Sequence, residues 1–435
     1  MFRTFARSMA KIQTYLHSQG VRNFGKLFSA NVLAQIIGLI VYPILTRLYA
    51  PDDFGLLNLF LSIGGVLTIL ATAEYQYAIV LPKEEKQAKG VFQVGLFILL
   101  YVVAVLLLTI PFSQPISHIF NTPSLAHWYW LMPFFVGISG FWILLNYYYT
   151  RHKSFGNISR YQMSQSILNA CSKIGCGYAG LLHGGLICST VIAPIIAVII
   201  SMSRSWRKGL REWFNIDRDA CKDAAREYSN FPKYSTPRAL VNNLSSNLPS
   251  LLLTPFFGLT SLGFFGMAIT LAFRPLNMIS ASLYQVLFQH ITERVNKKQT
   301  IAHFFRKFLL LTVLIIVPCF ALLYLILPWL TSWLLGAEWN VTGHYIRVML
   351  PWLTMSMLVA PICFLSDLFR KQKIGLLLEI LLVCARLAGM LVGIVTHSFY
   401  NAIIGYSLCS ALIIAVQLVW YISLVARYER SIAAR

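Results

Sequence analysis

Thirty-one of the chain's 36 Lys and Arg residues fall in seven short stretches, near residues 3–26, 83–89, 151–160, 204–238, 294–307, 370–373 and 427–435. Long apolar runs separate these stretches. The alternate gaps, near 50–55, 113–127, 183–185, 258–262, 334–344 and 396–400, contain no Lys or Arg. Loops on the cytoplasmic side of a membrane retain positive charge. The alternation therefore predicts an even number of membrane spans with both termini in the cytoplasm. Composition agrees: 12% of residues are charged, against about 25% in a soluble protein.

Apolar runs of about 20 residues cross the hydrocarbon as helices, because lipid offers the backbone no hydrogen-bond partners. The expected fold is all-α and polytopic. Its twelve spans lie near 26–49, 56–80, 91–112, 125–149, 161–183, 185–203, 236–258, 262–290, 306–333, 345–367, 374–395 and 400–425. The long polar stretch 204–235 divides them into two six-helix bundles, 26–203 and 236–426. Its mixed charges suit a solvated helical linker. Residues 1–25 read as a cytoplasmic amphipathic segment with no cleavable signal peptide, and 427–435 as a cytoplasmic tail. A mitochondrial presequence shares the basic, amphipathic character of the first 25 residues. The outer gaps are too short for a catalytic domain. The net charge of +21 is spread over seven loops, which argues against a nucleic-acid partner. The eight cysteines have no metal-ligand spacing and read as packing residues. No cofactor is expected.

Five cations escape the topology rule: Arg47, Lys173, Arg274, Arg347 and Arg386. Arg47 and Arg347 lie near the outer rim, where they can snorkel, and Arg47 can also meet Asp52 or Asp53. Lys173, Arg274 and Arg386 lie about 12 residues into their spans, about 18 Å along the axis. A charge at that depth costs at least about 2.5–3.5 kcal/mol and normally faces a cavity or a partner. Several cations around one low-dielectric cavity would bind a multiply charged anion, and the arginine fork suits phosphate. Arg386 follows Glu379 by two helical turns on one face, which suggests a shared polar cavity. The acids Glu74 and Glu379, with Asp367 near an inner span end, either balance these cations or carry a coupling H⁺ or Na⁺.

Several patterns read as packing. The run from Gly175 to Gly180 matches GxGxxG but lies inside an apolar span, where close helix contact explains it. Tyr147, Tyr148 and Tyr149 read as an interfacial aromatic belt. The pair Leu45–Thr46 with Phe54–Gly55 recurs as Leu253–Thr254 with Leu262–Gly263, a faint parallel repeat of the halves.

The stretch from Pro43 to Gly55, including Leu45-Thr46-Arg47 and Pro51-Asp52-Asp53-Phe54-Gly55, resembles the first hairpin of Wzx-type polysaccharide flippases. These belong to the multidrug/oligosaccharidyl-lipid/polysaccharide (MOP) exporter superfamily, which includes MATE-like transporters. Glu74 to Lys83 resembles the family's segment after the second span. Further matches are Phe231 to Ser235, Asn242 to Pro249, Gly263 to Ala268 and Arg274 to Asn277. The resemblance implies two bundles in a V around a central cavity. It also implies transfer of an undecaprenyl-diphosphate-linked oligosaccharide, such as an O-antigen repeat unit for lipopolysaccharide, across a bacterial inner membrane. Implied partners are a polysaccharide polymerase and a chain-length regulator. The cation assignments come from depth in the spans, not from the family. Drug or cation antiport would want an acidic, aromatic cavity. A membrane-embedded polymerase would want a large outer loop.

Overall fold

The computed structural model describes residues 19–207 and 209–433, with side chains described for 32–181, 184–207 and 209–432. Residues 1–18 of the expected amphipathic segment lie outside the described residues. Twelve long helices carry the fold: α1 (Gln19–Leu48), α2 (Pro51–Thr72), α3 (Glu85–Leu108), α4 (Met132–Arg151), α5 (Phe155–Tyr178), α6 (Leu182–Trp206), α7 (Thr236–Ala268), α8 (Arg274–Asn296), α9 (Ala302–Leu335), α10 (Asn340–Val359), α11 (Gln372–Val395) and α12 (Phe399–Ala433). No strand occurs among the described residues. Every expected span has its helix. The seventh and eighth meet inside α7, which turns at Gly258 (φ 76°, ψ −179°) within the expected outer gap.

Among the described residues, nine helical stretches are long and apolar enough to cross a membrane, and Phe231–Asn296 holds two of the expected spans. Val32–Leu48 of α1 is a shorter apolar helix. The remaining helix, α5, is not among the nine because polar side chains line one of its faces. The chain is a multi-pass membrane protein.

Contacts divide the chain into two compact units, Met1–Asn247 and Leu248–Arg435. In the first, α5 packs against α1 and α6, α2 against α3 and α4, and α4 against α3 and α6. Proline and two aspartates start α2, and Ala50 N donates to Asp53 Oδ2 at 3.0 Å. The helix stops at Thr72, short of the expected end near residue 80. Ala73 (φ 43°) and Glu74 (φ 60°) then reverse the chain into a 3₁₀ segment, Tyr75–Val80. Arg151 Nη1 donates to Ile79 O at 3.1 Å and to Pro82 O at 2.8 Å, fixing that segment.

The stretch expected to be a solvated linker is docked. Leu210, Trp213, Ala220 and Ala224 are buried, and the linker helix Arg218–Glu227 packs on α3. Gln93, itself buried, holds it by both ends of its carboxamide. Its Nε2 donates to Trp213 O (3.1 Å) and Asn215 O (2.6 Å), and its Oε1 accepts from Asp217 N (3.1 Å). Asp217 caps the linker helix. The Ala220 N–H and then Lys86 hold its carboxyl below the usual carboxylate range.

Two of the three consecutive tyrosines are core residues, not an aromatic belt. Tyr148 and Tyr149 are buried, and Tyr149 Oη donates to Ser201 O at 3.2 Å. The expected packing role of the glycine run holds at Gly177, where a Cβ would meet Leu48 and Tyr49 at 3.1 Å.

In the second unit, α11 packs along α12, and α10 against α9 and α12. The α11–α12 backbones touch: a Cβ on Gly389 would overlap the Gly405 carbonyl, and one on Gly393 would overlap Ala402. Small residues permit such close approach in membranes, where packing replaces the hydrophobic effect as the source of helix association.

Candidate substrate and coupling sites

Arg274 follows a break in helical regularity. The preceding Ile269–Phe273 is a π-helical turn. Pro275 lacks an N–H, so the Leu271 carbonyl cannot receive its usual i+4 bond, and a widened turn accommodates the loss. Arg274 is sixteen residues past the Gly258 turn, about 24 Å along the axis. It is exposed, and no hydrogen bond or ion pair to it occurs among the described residues. That is further inward than the expected 18 Å or so and toward the inner side of a core about 30 Å thick, where an unpaired guanidinium takes water, a headgroup or a ligand.

Arg386 is buried, at 9% exposure. Its Nε donates to Ser410 Oγ at 3.1 Å, and its Cζ lies 5.2 Å from the Tyr406 ring centroid and 5.8 Å from that of Trp352. Trp352 stacks on Phe273, the neighbour of Arg274, at 5.1 Å. One aromatic cluster thus links the Arg386 cage to the start of α8. Glu379, two turns away on the same helix, is exposed while Arg386 is buried.

Arg347 is committed to the backbone. Its Nε donates to Tyr324 O and its Nη2 to Leu325 O at 2.8 Å, with Cζ 5.2 Å from the Tyr324 ring centroid. Pro328 explains this, because it cannot donate to Tyr324 O four residues earlier.

In the first unit, Arg47 is exposed at the end of α1. Lys173 is half-buried, and its carbonyl accepts from Tyr49 Oη at 2.7 Å. Lys173 shares one face of α5 with Ser159, Gln162, Ser166 and Asn169, all within about 80° at 3.6 residues per turn. Ser166 Oγ donates to Ala34 O at 2.7 Å, so this face meets α1. Ser159 Oγ, Gln162 Oε1 and Asn169 Oδ1 are buried there without a partner, and buried polar atoms of this kind generally bind water. The signal in the sequence is their spacing of three and four residues, which puts uncharged polar side chains on one helix face.

Glu74 lies just beyond the apolar stretch of α2, at 7% exposure. Burial raises its pKa, while a Gln76 hydrogen bond and the charge of Arg238 pull the other way. Gln76 Oε1 is buried and unpartnered. Asp367 and Glu379 are exposed, and both lie within electrostatic reach of Tyr421 and Cys363.

Residues 44–344 match the family model described as polysaccharide biosynthesis protein. The chain belongs to this family. Its fold is similar to "Lipid II flippase MurJ, inward closed conformation" (TM-score 0.71, 11% identity, covering 94% of this chain and 92% of that one). It is also similar to the "inward-facing conformation of a multidrug resistance MATE family transporter of the MOP superfamily" (TM-score 0.65, 13% identity, covering 93% and 96%). No curated protein matches the sequence. The chain therefore shares the fold of these two solved structures, one a transporter and one a flippase, in line with the resemblance of its hairpin motifs.

Proposed function

We propose that the protein is a flippase. It moves a polyprenyl-diphosphate-linked oligosaccharide, an O-antigen or other surface-polysaccharide repeat unit, from the cytoplasmic to the periplasmic leaflet of a bacterial inner membrane. The observation that carries this reading is Arg274, an exposed guanidinium within a span, behind a π-helical turn and with no hydrogen-bond or ion-pair partner among the described residues. The diphosphate supplies the oxygens its fork matches. Lys173 and Arg47 add positive charge in the first unit. Arg386 holds the aromatic cluster beneath α8 and contributes field rather than a free fork.

Alternating access needs a ligand or ion that distinguishes two states. Glu74 is the acid best suited to carry a coupling H⁺ or Na⁺, because it is buried on a strained turn. Asp367 and Glu379 are the second choice. Drug or cation antiport on this fold is disfavoured by the unpaired cation at Arg274. The released repeat unit would pass to a polysaccharide polymerase.

The test is Arg274→Ala, expressed in a host lacking its own copy. Surface polysaccharide should fall at least tenfold with normal membrane levels of protein, and Arg274→Lys should restore part of it. Undiminished export by Arg274→Ala would remove the diphosphate site.

A further inference from the structure

A cavity of about 330 Å³ opens between the start of α3, the end of α4 and the 3₁₀ turn Leu210–Phe214 that begins the linker. All three belong to the first unit. The floor is aromatic. Tyr148 and Trp213 are buried with ring centroids 4.8 Å apart, and the His152 ring lies 4.4 Å from Tyr148 and 5.4 Å from Trp213. The walls are charged, and most of the charges are paired. Lys86 Nζ lies 3.5 Å from Asp217 Oδ2, and Glu85 meets His152 Nε2 at 3.0 Å and Arg151 Nε at 3.8 Å. Two groups are left over. Lys89, half-buried on α3, and Glu212, exposed on the linker turn, both line the cavity. Neither has a hydrogen bond or ion pair among the described residues.

The cavity sits at headgroup level. Residues 91–108 of α3 carry no charge and rise about 27 Å, close to a core thickness of about 30 Å. Lys89 therefore stands at the polar boundary, with Lys86 one turn beyond it. Apolar surface adjoins the cavity: Trp206, at the end of α6, is 41% exposed with its ring 5.4 Å from Phe214, and Ile216 is 63% exposed. A tryptophan at a span end is characteristic of the membrane interface. A purely basic pocket at that level would select an anionic headgroup. Here the unspent lysine is matched by an unspent carboxylate, so the complement is a zwitterion. The volume is at the small end of the range of ligand sites, about 300–1,000 Å³, and the rings offer their faces to a cation.

We infer that this cavity binds a phosphoethanolamine group, carried by a phospholipid of the adjoining leaflet or free in solution, with Lys89 on the phosphate and Glu212 on the ammonium. The inference is independent of the flippase reading. A ligand held in this way joins α3 to the linker turn and adds to the clasp that Gln93 makes on the same turn. Docking of the linker then depends on the headgroups around the protein.

The experiment uses the full chain in nanodiscs of phosphatidylglycerol, alone or mixed with phosphatidylethanolamine or phosphatidylcholine. The readout is the rate at which trypsin cuts at Arg211, exposed on the linker turn. A ligand that binds only the docked linker lowers its open fraction by one plus the ratio of ligand concentration to Kd, so at about four times Kd cutting should slow about fivefold. Phosphatidylethanolamine should produce this slowing. Phosphatidylcholine, whose trimethylammonium has no N–H to donate to Glu212, should change the rate less than about twofold. Free O-phosphoethanolamine at millimolar concentration, added to nanodiscs of phosphatidylglycerol alone, separates the sources: slowing there assigns a soluble ligand, and slowing by phosphatidylethanolamine alone assigns the lipid. In Glu212→Gln and in Lys89→Gln the ratio of rates with and without phosphatidylethanolamine should fall to about one. Wild-type protein cut equally fast in every lipid and with the free ligand overturns the site. So does equal slowing by phosphatidylcholine, or an ethanolamine effect that persists in both variants.

Discussion

Replacing Arg347 tests whether a cation inside a span serves the substrate or the fold. Its guanidinium donates to Tyr324 O and to Leu325 O, and Pro328 denies Tyr324 O its helical partner. Hydrogen bonds from a charged donor contribute about 1.5–3 kcal/mol each. The contact is partly exposed, so the lower end applies, and Arg347→Ala should cost about 3 kcal/mol in total. Pro328→Ala restores an N–H four residues after Tyr324. In that background Arg347→Ala should cost about 1 kcal/mol less, because one carbonyl regains a partner. The assay is reversible unfolding of the wild type, both single variants and the double variant in mixed detergent–SDS micelles, with polysaccharide export measured in parallel. Export should fall only as far as the folded fraction falls. The reasoning is refuted if Arg347→Ala keeps full stability yet loses export, or if the coupling energy with Pro328→Ala is zero.

Three other perturbations follow from the packing and the electrostatics. Gly389→Leu drives a side chain into the Gly405 carbonyl and should cost about 3 kcal/mol or more, seen as a drop in thermal midpoint; a midpoint within error of wild type would contradict the observed contact. Gln93→Leu strands Trp213 O, Asn215 O and the Asp217 N–H at about 1–3 kcal/mol per group. It should open residues 209–217 to limited proteolysis, and an unchanged cleavage pattern would show that the linker is held elsewhere. For Glu74 the folded pKa is raised above the ordinary 4.5, so the folded state binds more protons above that pH. Its contribution is full below about 4.5 and is lost as pH rises through the folded value. The wild type should therefore lose stability relative to Glu74→Gln as pH rises from 4.5; parallel pH profiles for the two proteins would disprove this.

The architecture was legible because it follows from two strong constraints. Lipid forces the backbone into helices, and the cost of burying charge keeps most Lys and Arg out of the spans. The ends were less legible. The second span stops at Thr72 because two consecutive left-handed residues, Ala73 and Glu74, turn the chain, and neither is a glycine that would have announced it. The linker looked solvated because its charges are conspicuous. Its docking depends on two alanines one turn apart and on a carboxamide about 120 residues away in sequence. The three tyrosines misled in the same manner: their position at a span end matched an interfacial belt, while the partner that buries Tyr149 lies on another helix.

Charge at depth proved a coarser signal than charge together with the backbone around it. Arg274 and Arg347 differ in expected depth, one well inside its span and one near the outer rim, yet each is an unscheduled arginine close to a proline. At Arg274 the proline is the next residue, so the defect lies in the arginine's own helix and is absorbed by a π-helical turn, leaving the guanidinium outward and unspent. At Arg347 the decisive proline is on the neighbouring helix α9. The carbonyl it orphans consumes the arginine. Arg386 is a third case, a cation stabilised by two rings and a hydroxyl in the bundle interior.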